Sequence, residues 1–356
     1  MSTAAEFEIE YLQYLKPDGT LASDPPAAAS DPKRLVSIFK EMLFLRVFDE
    51  KAVKLQRTGK LGTYASCLGH EATHVGIGAS MRPEDVFAPS YREYGAQFHR
   101  GVHPREVLMY WGGDERGNDF EGPRHDYPWC VPIATQCLYA AGAALSFKLR
   151  GQDRIAVTCC GDGGSSKTDT YAAINSAGAY SLPFIQCIVN NGWAISVPRH
   201  AQTGAETLAQ KGIAGGLYCL QVDGNDLIAV LEGMRRAVER ARKGEGGSCI
   251  EFMTYRLSDH TTADDARRYR PDEQVKEAWE REPFLRLRKY LTDNGFWSDI
   301  TEKAWLEECG KRVDIEVNAY LKSKPQPLES MFDYLYAELP VDLEQQRAAA
   351  LAREAK

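Results

Sequence analysis

An aspartate and an asparagine, 29 positions apart, stand where a single cation could draw them together. Asp162 lies in Gly161-Asp162-Gly163-Gly164 and Asn191 in Asn190-Asn191-Gly192-Trp193. Each follows an apolar, β-favouring run, residues 155–160 for the first and 184–189 for the second. A carboxylate and an amide oxygen are hard donors. Magnesium takes few protein ligands of this kind and completes its octahedron with phosphate oxygens and water. A backbone carbonyl, that of Trp193, would serve as third donor and leave room for a diphosphate. The glycines at 161, 163 and 164 let backbone N–H groups approach phosphate with no Cβ in the way.

Positioning these groups is the task of the segment between them. Residues 171–180 are Ala-rich and helix-compatible, so the stretch reads strand, loop, helix, strand. In an open parallel sheet ligands bind beyond the carboxyl ends of the strands, and this βαβ unit brings Asp162 and Asn191 to one rim. The expected fold is α/β, a doubly wound and mostly parallel sheet with helices on both faces and a helical C-terminal region. A dinucleotide-binding unit would need Gly-x-Gly-x-x-Gly and an acid after the second strand. Here Ser166 holds the third glycine position and the second strand ends in amides.

Gly-Asp-Gly, 26 intervening residues, then Asn-Asn resembles the thiamine-diphosphate motif. The following Gly192-Trp193-Ala194-Ile195-Ser196-Val197-Pro198 is similar to the alpha subunit of the decarboxylating dehydrogenase component of 2-oxo acid dehydrogenase complexes. The likeness runs from about Arg34 to about Pro340. It departs at Thr168, Ala172 and Ser176, where the family commonly has Gly, Glu and Phe, which bears on helix packing and subunit contact rather than on the metal ligands. The resemblance implies oxidative decarboxylation of a 2-oxo acid. The cofactor supplies the carbanion and accepts the electrons as CO₂ leaves, and the acyl unit passes to a lipoyl group on an acyltransferase component.

Site residues carried over by this likeness are few. Tyr91 and Arg92 match positions that hold the terminal phosphate, and a guanidinium suits paired phosphate oxygens. Main-chain atoms of Val131 and Ile133 would bond the aminopyrimidine. His260, in the polar loop 259–265, belongs beside the thiazolium and the lipoyl entry, as a hydrogen-bond donor or a proton shuttle near neutral pH. Thr261 stands where mitochondrial relatives carry a phosphorylated serine. Pro132, Thr135 and Gln136 look like a potassium site of branched-chain members, with Cys130 replacing a hydroxyl ligand. His70-Glu71-Ala72-Thr73-His74 has the spacing of a zinc helix; with no third ligand identifiable, it reads instead as the family's Gly-x-Glu-Ala helix start. The ylid needs a carboxylic acid that the family takes from a beta subunit. The expectation is therefore a heterotetramer of two alpha and two beta subunits, acting on pyruvate, with a branched-chain 2-oxo acid as the alternative and a non-catalytic scaffold as a reading of another class.

The rest of the chain sets bounds. At 356 residues and 44% hydrophobic it can bury a full core. A net charge of −7 argues against general affinity for nucleic acid or anionic membrane. No apolar run reaches the length of a span and the first residues lack a signal-peptide layout, so the expected location is the cytoplasm. Nine cysteines lie mostly in apolar runs without zinc spacing and read as reduced, packed thiols. Residues 1–33, rich in Pro, Ala, Ser and Asp, read as an extended arm. The dehydrogenase domain is expected over 34–325, opened by an amphipathic helix to about Thr58 and then a turn and short strand near Tyr64. A helical tail follows over 326–356.

Overall fold

The computed structural model describes residues 2–354. Its centre is one sheet of six parallel strands. In chain order these are β1 (Glu10–Leu12), β2 (Val86–Ala88), β3 (Ala156–Gly161) and β4 (Phe184–Asn190), then β7 (Tyr218–Asp223) and β8 (Ser248–Met253). A two-stranded antiparallel hairpin, β5 (Trp193–Ala194) with β6 (Val197–Pro198), lies outside it. The sheet order is β1-β7-β8-β4-β3-β2. This is the α/β architecture expected from the alternating runs.

Alternation along the buried strands divides the core. Ala156 and Cys160 of β3 face the helices α5 (Thr135–Leu149) and α6 (Thr168–Ala179), while Val157 and Cys159 face α9 (Leu227–Arg242). With helices on both faces the central strands β3, β4 and β8 are buried on both sides, which is why they read as largely apolar runs, whereas the edge strand β1 exposes Glu10 and Tyr11. A third cluster joins α1 (Pro32–Arg57) to the C-terminal helices α11 (Pro283–Asp293) and α12 (Asp299–Leu321). Asp31 caps α1 by accepting from Lys33 N at 2.9 Å, with Pro32 in the first turn. Two short helices, α2 (Glu71–Gly78) and α3 (Tyr94–His99), pack between α1 and the sheet.

Two expectations need amendment. The arm over 1–33 is largely extended, yet it is part of the domain: β1 pairs with β7, and Leu12 and Leu15 are buried. The segment near Tyr64 is no strand. Tyr64 and its three successors are buried without joining a ladder, because Asp49 and the Thr262 hydroxyl accept from their donors while Thr262 N, Tyr94 and Arg92 donate to their carbonyls. Past residue 326 the tail forms α13 (Ser330–Asp333) and α14 (Val341–Glu354), and none of their residues is buried. All nine cysteines are free and buried. Among the described residues no helix is long and apolar enough to cross a membrane.

Candidate active site

A cavity of about 720 Å³ opens at the carboxyl ends of β3 and β4. In the β3–β4 ladder Gly161 pairs with Val189, so the two strands end at nearly the same level and deliver Asp162 and Asn191 into one wall. Both side chains are buried. Asp162 Oδ2 accepts from Gln202 Nε2 at 2.5 Å, and Asn191 Oδ1 accepts from Trp193 N at 3.1 Å. The Trp193 carbonyl, the third expected donor, accepts from Arg256 Nη1 at 3.2 Å. Burial raises the Asp162 carboxyl above its ordinary range, against the pull of the Gln202 hydrogen bond. The set is one carboxylate and two neutral oxygens, all presently satisfied by N–H groups. Among the described residues no group of three or more His, Cys, Asp or Glu could hold a metal. A divalent cation here would draw on these three oxygens and on oxygens brought by its ligand, which is the donor chemistry of magnesium with a diphosphate.

Arg92 lines the cavity and makes its part of the wall positive, and Arg256 lies behind the lining, bonded to the Trp193 and Ile195 carbonyls. Arg92 and Arg256 are buried, and neither has a carboxylate partner among the described residues. Arg92 donates to the Ser66 carbonyl and, at 2.9 Å, to the His260 carbonyl. Arg256 donates to Ile195 O at 2.9 Å and Tyr269 Oη at 3.0 Å. Burial, then the Arg92 charge, lowers the Arg256 guanidinium to about 10. Two buried guanidiniums held by neutral groups, with that of Arg92 at the cavity surface, favour an incoming anion with several oxygens. The cavity therefore offers donors for a divalent cation and a guanidinium for the phosphate oxygens such a cation would bring.

His260 lies in this wall, its Nδ1 3.3 Å from Arg92 Nη2, with the Tyr91 ring edge-on at 6.1 Å. Burial, then Arg92 and Arg256, lowers its pKa to about 3. Of the two expected roles, this surrounding favours the hydrogen-bonding one, since burial and two guanidiniums disfavour a protonated ring, which then serves as a single N–H donor or as an acceptor.

Val131 and Ile133 line a more open part of the wall and are about half exposed. They flank the turn into α5, where Ala134 adopts a left-handed conformation with φ +68°. Gly161, Gly163 and Gly164 also line the cavity, and they differ in what they need. A Cβ on Gly161 would meet nothing within 4 Å, whereas one on Gly163 would lie 2.5 Å from the Ala194 Cβ. Gly163 thus lets the Trp193 hairpin close over the Asp162 loop.

The potassium reading fits poorly. The Cys130 thiol donates to the Pro132 carbonyl at 3.3 Å, Thr135 Oγ1 donates to Asp169 at 3.3 Å, and only Gln136 Oε1 is a buried oxygen without a partner. A thiol where a hard cation wants oxygen leaves an incomplete shell. The zinc-like spacing on α2 likewise builds no site: Glu71 is held by Arg46 at 2.5 Å, and the buried His70 and His74 rings stay neutral because burial depresses both. Thr168, Ala172 and Ser176 fall on the outward face of α6, away from the metal ligands.

Other residues holding the site were not singled out from sequence. Gln202 fixes Asp162. Glu251, in β8, accepts from Asn190 Nδ2 at 2.7 Å and from Leu208 N at 2.7 Å, anchoring the strand end that carries Asn191. Lys211 is buried with Nζ 2.8 Å from Ser165 Oγ and 3.1 Å from Ser166 Oγ, bracing the loop after Asp162. The one sequence signal was position: Arg256 begins the polar loop directly beyond β8.

Comparison with known proteins settles the family. Residues 39–329 match the dehydrogenase E1 component family. The chain belongs to that family. It is 35% identical to the pyruvate dehydrogenase E1 component subunit alpha of Staphylococcus aureus (strain Mu50 / ATCC 700699), over 99% of this chain and 95% of that protein. The protein of the same name from Staphylococcus epidermidis (strain ATCC 35984) is 36% identical over the same shares. The family read from Gly-Asp-Gly and Asn-Asn is thus the family found.

Proposed function

We propose that this dehydrogenase E1 chain is the alpha subunit of a thiamine-diphosphate-dependent pyruvate dehydrogenase. The observation that carries the proposal is the cavity that a carboxylate and an amide oxygen from adjacent strand ends share with the Arg92 guanidinium, which has no acidic partner among the described residues. Asp162, Asn191 and the Trp193 carbonyl would hold Mg²⁺. Arg92 and Tyr91 would grip the terminal phosphate, and main-chain atoms of Val131 and Ile133 would bond the aminopyrimidine edge. When bound, thiamine diphosphate supplies the carbanion for the keto carbon and the electron sink for loss of CO₂. His260 would keep an uncharged N–H at the mouth, able to orient substrate without adding a positive charge. Potassium is left out of the proposal.

The carboxylic acid that activates the cofactor is proposed to come from a beta subunit, in a heterotetramer of two alpha and two beta chains. The exposed Val131, Ile133, Ile195 and Val197 near the cavity support a wall completed by another chain. The acyl unit would leave to a lipoyl group of an acyltransferase component, in the cytoplasm. The names of the relatives favour pyruvate over branched-chain substrates. Coexpression with the beta subunit, followed by turnover of pyruvate against 3-methyl-2-oxobutanoate, tests this. Pyruvate should be preferred; preference for the branched substrate would overturn the substrate assignment, and absence of Mg²⁺-dependent cofactor binding would favour a non-catalytic scaffold.

A further inference from the structure

Asp49 lies midway along α1, among Phe48, Tyr64 and other core side chains, with 2% of its surface exposed. A carboxylate costs free energy in such surroundings unless it is fully hydrogen-bonded. It is. Oδ1 accepts from Tyr64 Oη at 2.9 Å and from Cys67 N at 2.8 Å, and Oδ2 accepts from Ser66 Oγ at 2.6 Å. All three donors belong to the segment 64–67, which joins no strand or helix. The segment's other hydrogen bonds include Tyr94 Oη to Ala65 O at 3.0 Å, His70 N to Cys67 O at 2.9 Å, and the contacts to Arg92 and Thr262 described next, so the Asp49 carboxylate is the one group that gathers three donors of the segment.

The same four residues reach the cavity by two routes. The Ser66 carbonyl accepts from Arg92 Nη1, fixing one prong of that guanidinium. Tyr64 pairs with the loop bearing His260: its N donates to Thr262 Oγ1 at 2.9 Å, and its carbonyl accepts from Thr262 N at 2.8 Å. Arg92 then donates to the His260 carbonyl, closing the circuit.

We propose that Asp49, which does not line the cavity, is a positioning residue: through the segment 64–67 it sets the Arg92 guanidinium and docks the loop that carries His260. The docking half stands on hydrogen bonds alone. The consequence for cofactor affinity rests on the proposed thiamine-diphosphate function.

The test uses the full chain coexpressed with its beta subunit. In Asp49→Ala, amides of residues 259–264 should exchange about tenfold faster or more without cofactor, while β3 and β4 amides keep wild-type rates, since local opening is decoupled from global unfolding. The dissociation constant for thiamine diphosphate with Mg²⁺ should rise about tenfold, the scale of one lost positioning contact. Asp49→Asn keeps an acceptor for Tyr64 and Cys67, while Ser66 Oγ can turn to accept from the amide, so it should restore most of both. If Asp49→Ala does not fold, Ser66→Ala cuts one link while leaving the carboxylate, and loop exchange should still rise about threefold. A folded Asp49→Ala or Ser66→Ala complex with wild-type exchange at 259–264 overturns the proposal. Faster exchange with no cofactor binding even in wild type would count against the proposed function and leave the positioning role standing.

Discussion

Replacing Asp226 by Asn probes how the N-terminal arm is tied to the domain. Asp226 Oδ2 accepts from Tyr14 N and Leu15 N, both at 2.7 Å, while Oδ1 caps α9 by accepting from Ile228 N at 2.9 Å. Burial, opposed by those backbone donors, raises its carboxyl from 3.8 to about 6. That difference amounts to about 3 kcal/mol against ionisation at neutral pH. For an acid raised on folding, the native state keeps a proton that the unfolded chain has released between pH 3.8 and about 6. Stability from this group therefore falls as pH rises through that window.

Asn carries no charge, so the variant should lose this slope and recover about 3 kcal/mol at pH 7. Its amide has one acceptor oxygen. Asn caps as well as Asp, so the oxygen should stay on Ile228 and present N–H donors to the arm. Two buried N–H groups then lack an acceptor, at about 1–3 kcal/mol each. The two effects offset globally, while the arm alone bears the loss. Even at the low end, about 2 kcal/mol, exchange of the Tyr14 and Leu15 amides should quicken about 30-fold. Urea unfolding at pH 4 and 7 with amide exchange measures both. Unchanged exchange at Tyr14 and Leu15, or a variant that keeps the wild-type pH slope, would refute the reasoning.

With His260 held near 3, its ring should not titrate between pH 5.5 and 8. Below 6.5 the folded state resists protonation, so any contribution it makes is lost as pH falls toward 3. Cofactor phosphate titrates near pH 6 by itself, so the comparison is between variants: calorimetric affinities of wild type and His260→Asn should share one pH dependence, and a slope lost with the ring would contradict its neutrality. Gly163→Ala should cost about 1–3 kcal/mol by overpacking against Ala194 and should weaken Mg²⁺-dependent cofactor binding. Gly161→Ala, facing open cavity, should melt like wild type and weaken only the binding; equal melting losses for both would sink the distinction.

The core of the site was legible because one βαβ unit carries it: hydrophobic runs end in polar residues, and parallel pairing of consecutive strands puts those ends together. What could not be read depends on distant partners. Gln202 reaches Asp162 across 40 positions, and Asp49 reaches Ser66 only because α1 and the segment after it fold back together. Nothing in a polar residue's own neighbourhood announces such a bond. The neutrality of His260 was missed for the same reason, since it follows from Arg92, 168 positions away, and from Arg256. The β1 strand was hidden by its length, since three residues are too few to establish a period.

The sheet order has a consequence for how the chain is made. β1 is the first strand to leave the ribosome, and its partner β7, paired through Glu10 and Leu220, follows 210 residues later. At about 5–20 residues per second that is a wait of roughly 10–40 s. Even then β7 cannot join the growing sheet, because β8 occupies the place between it and β4. During synthesis β3 and β4 can pair early, and β4 is left with an apolar, unpaired edge until residue 253 emerges. An edge of that kind invites pairing with other chains, so the last-made sixth of the sheet is the piece that closes the nascent protein against aggregation.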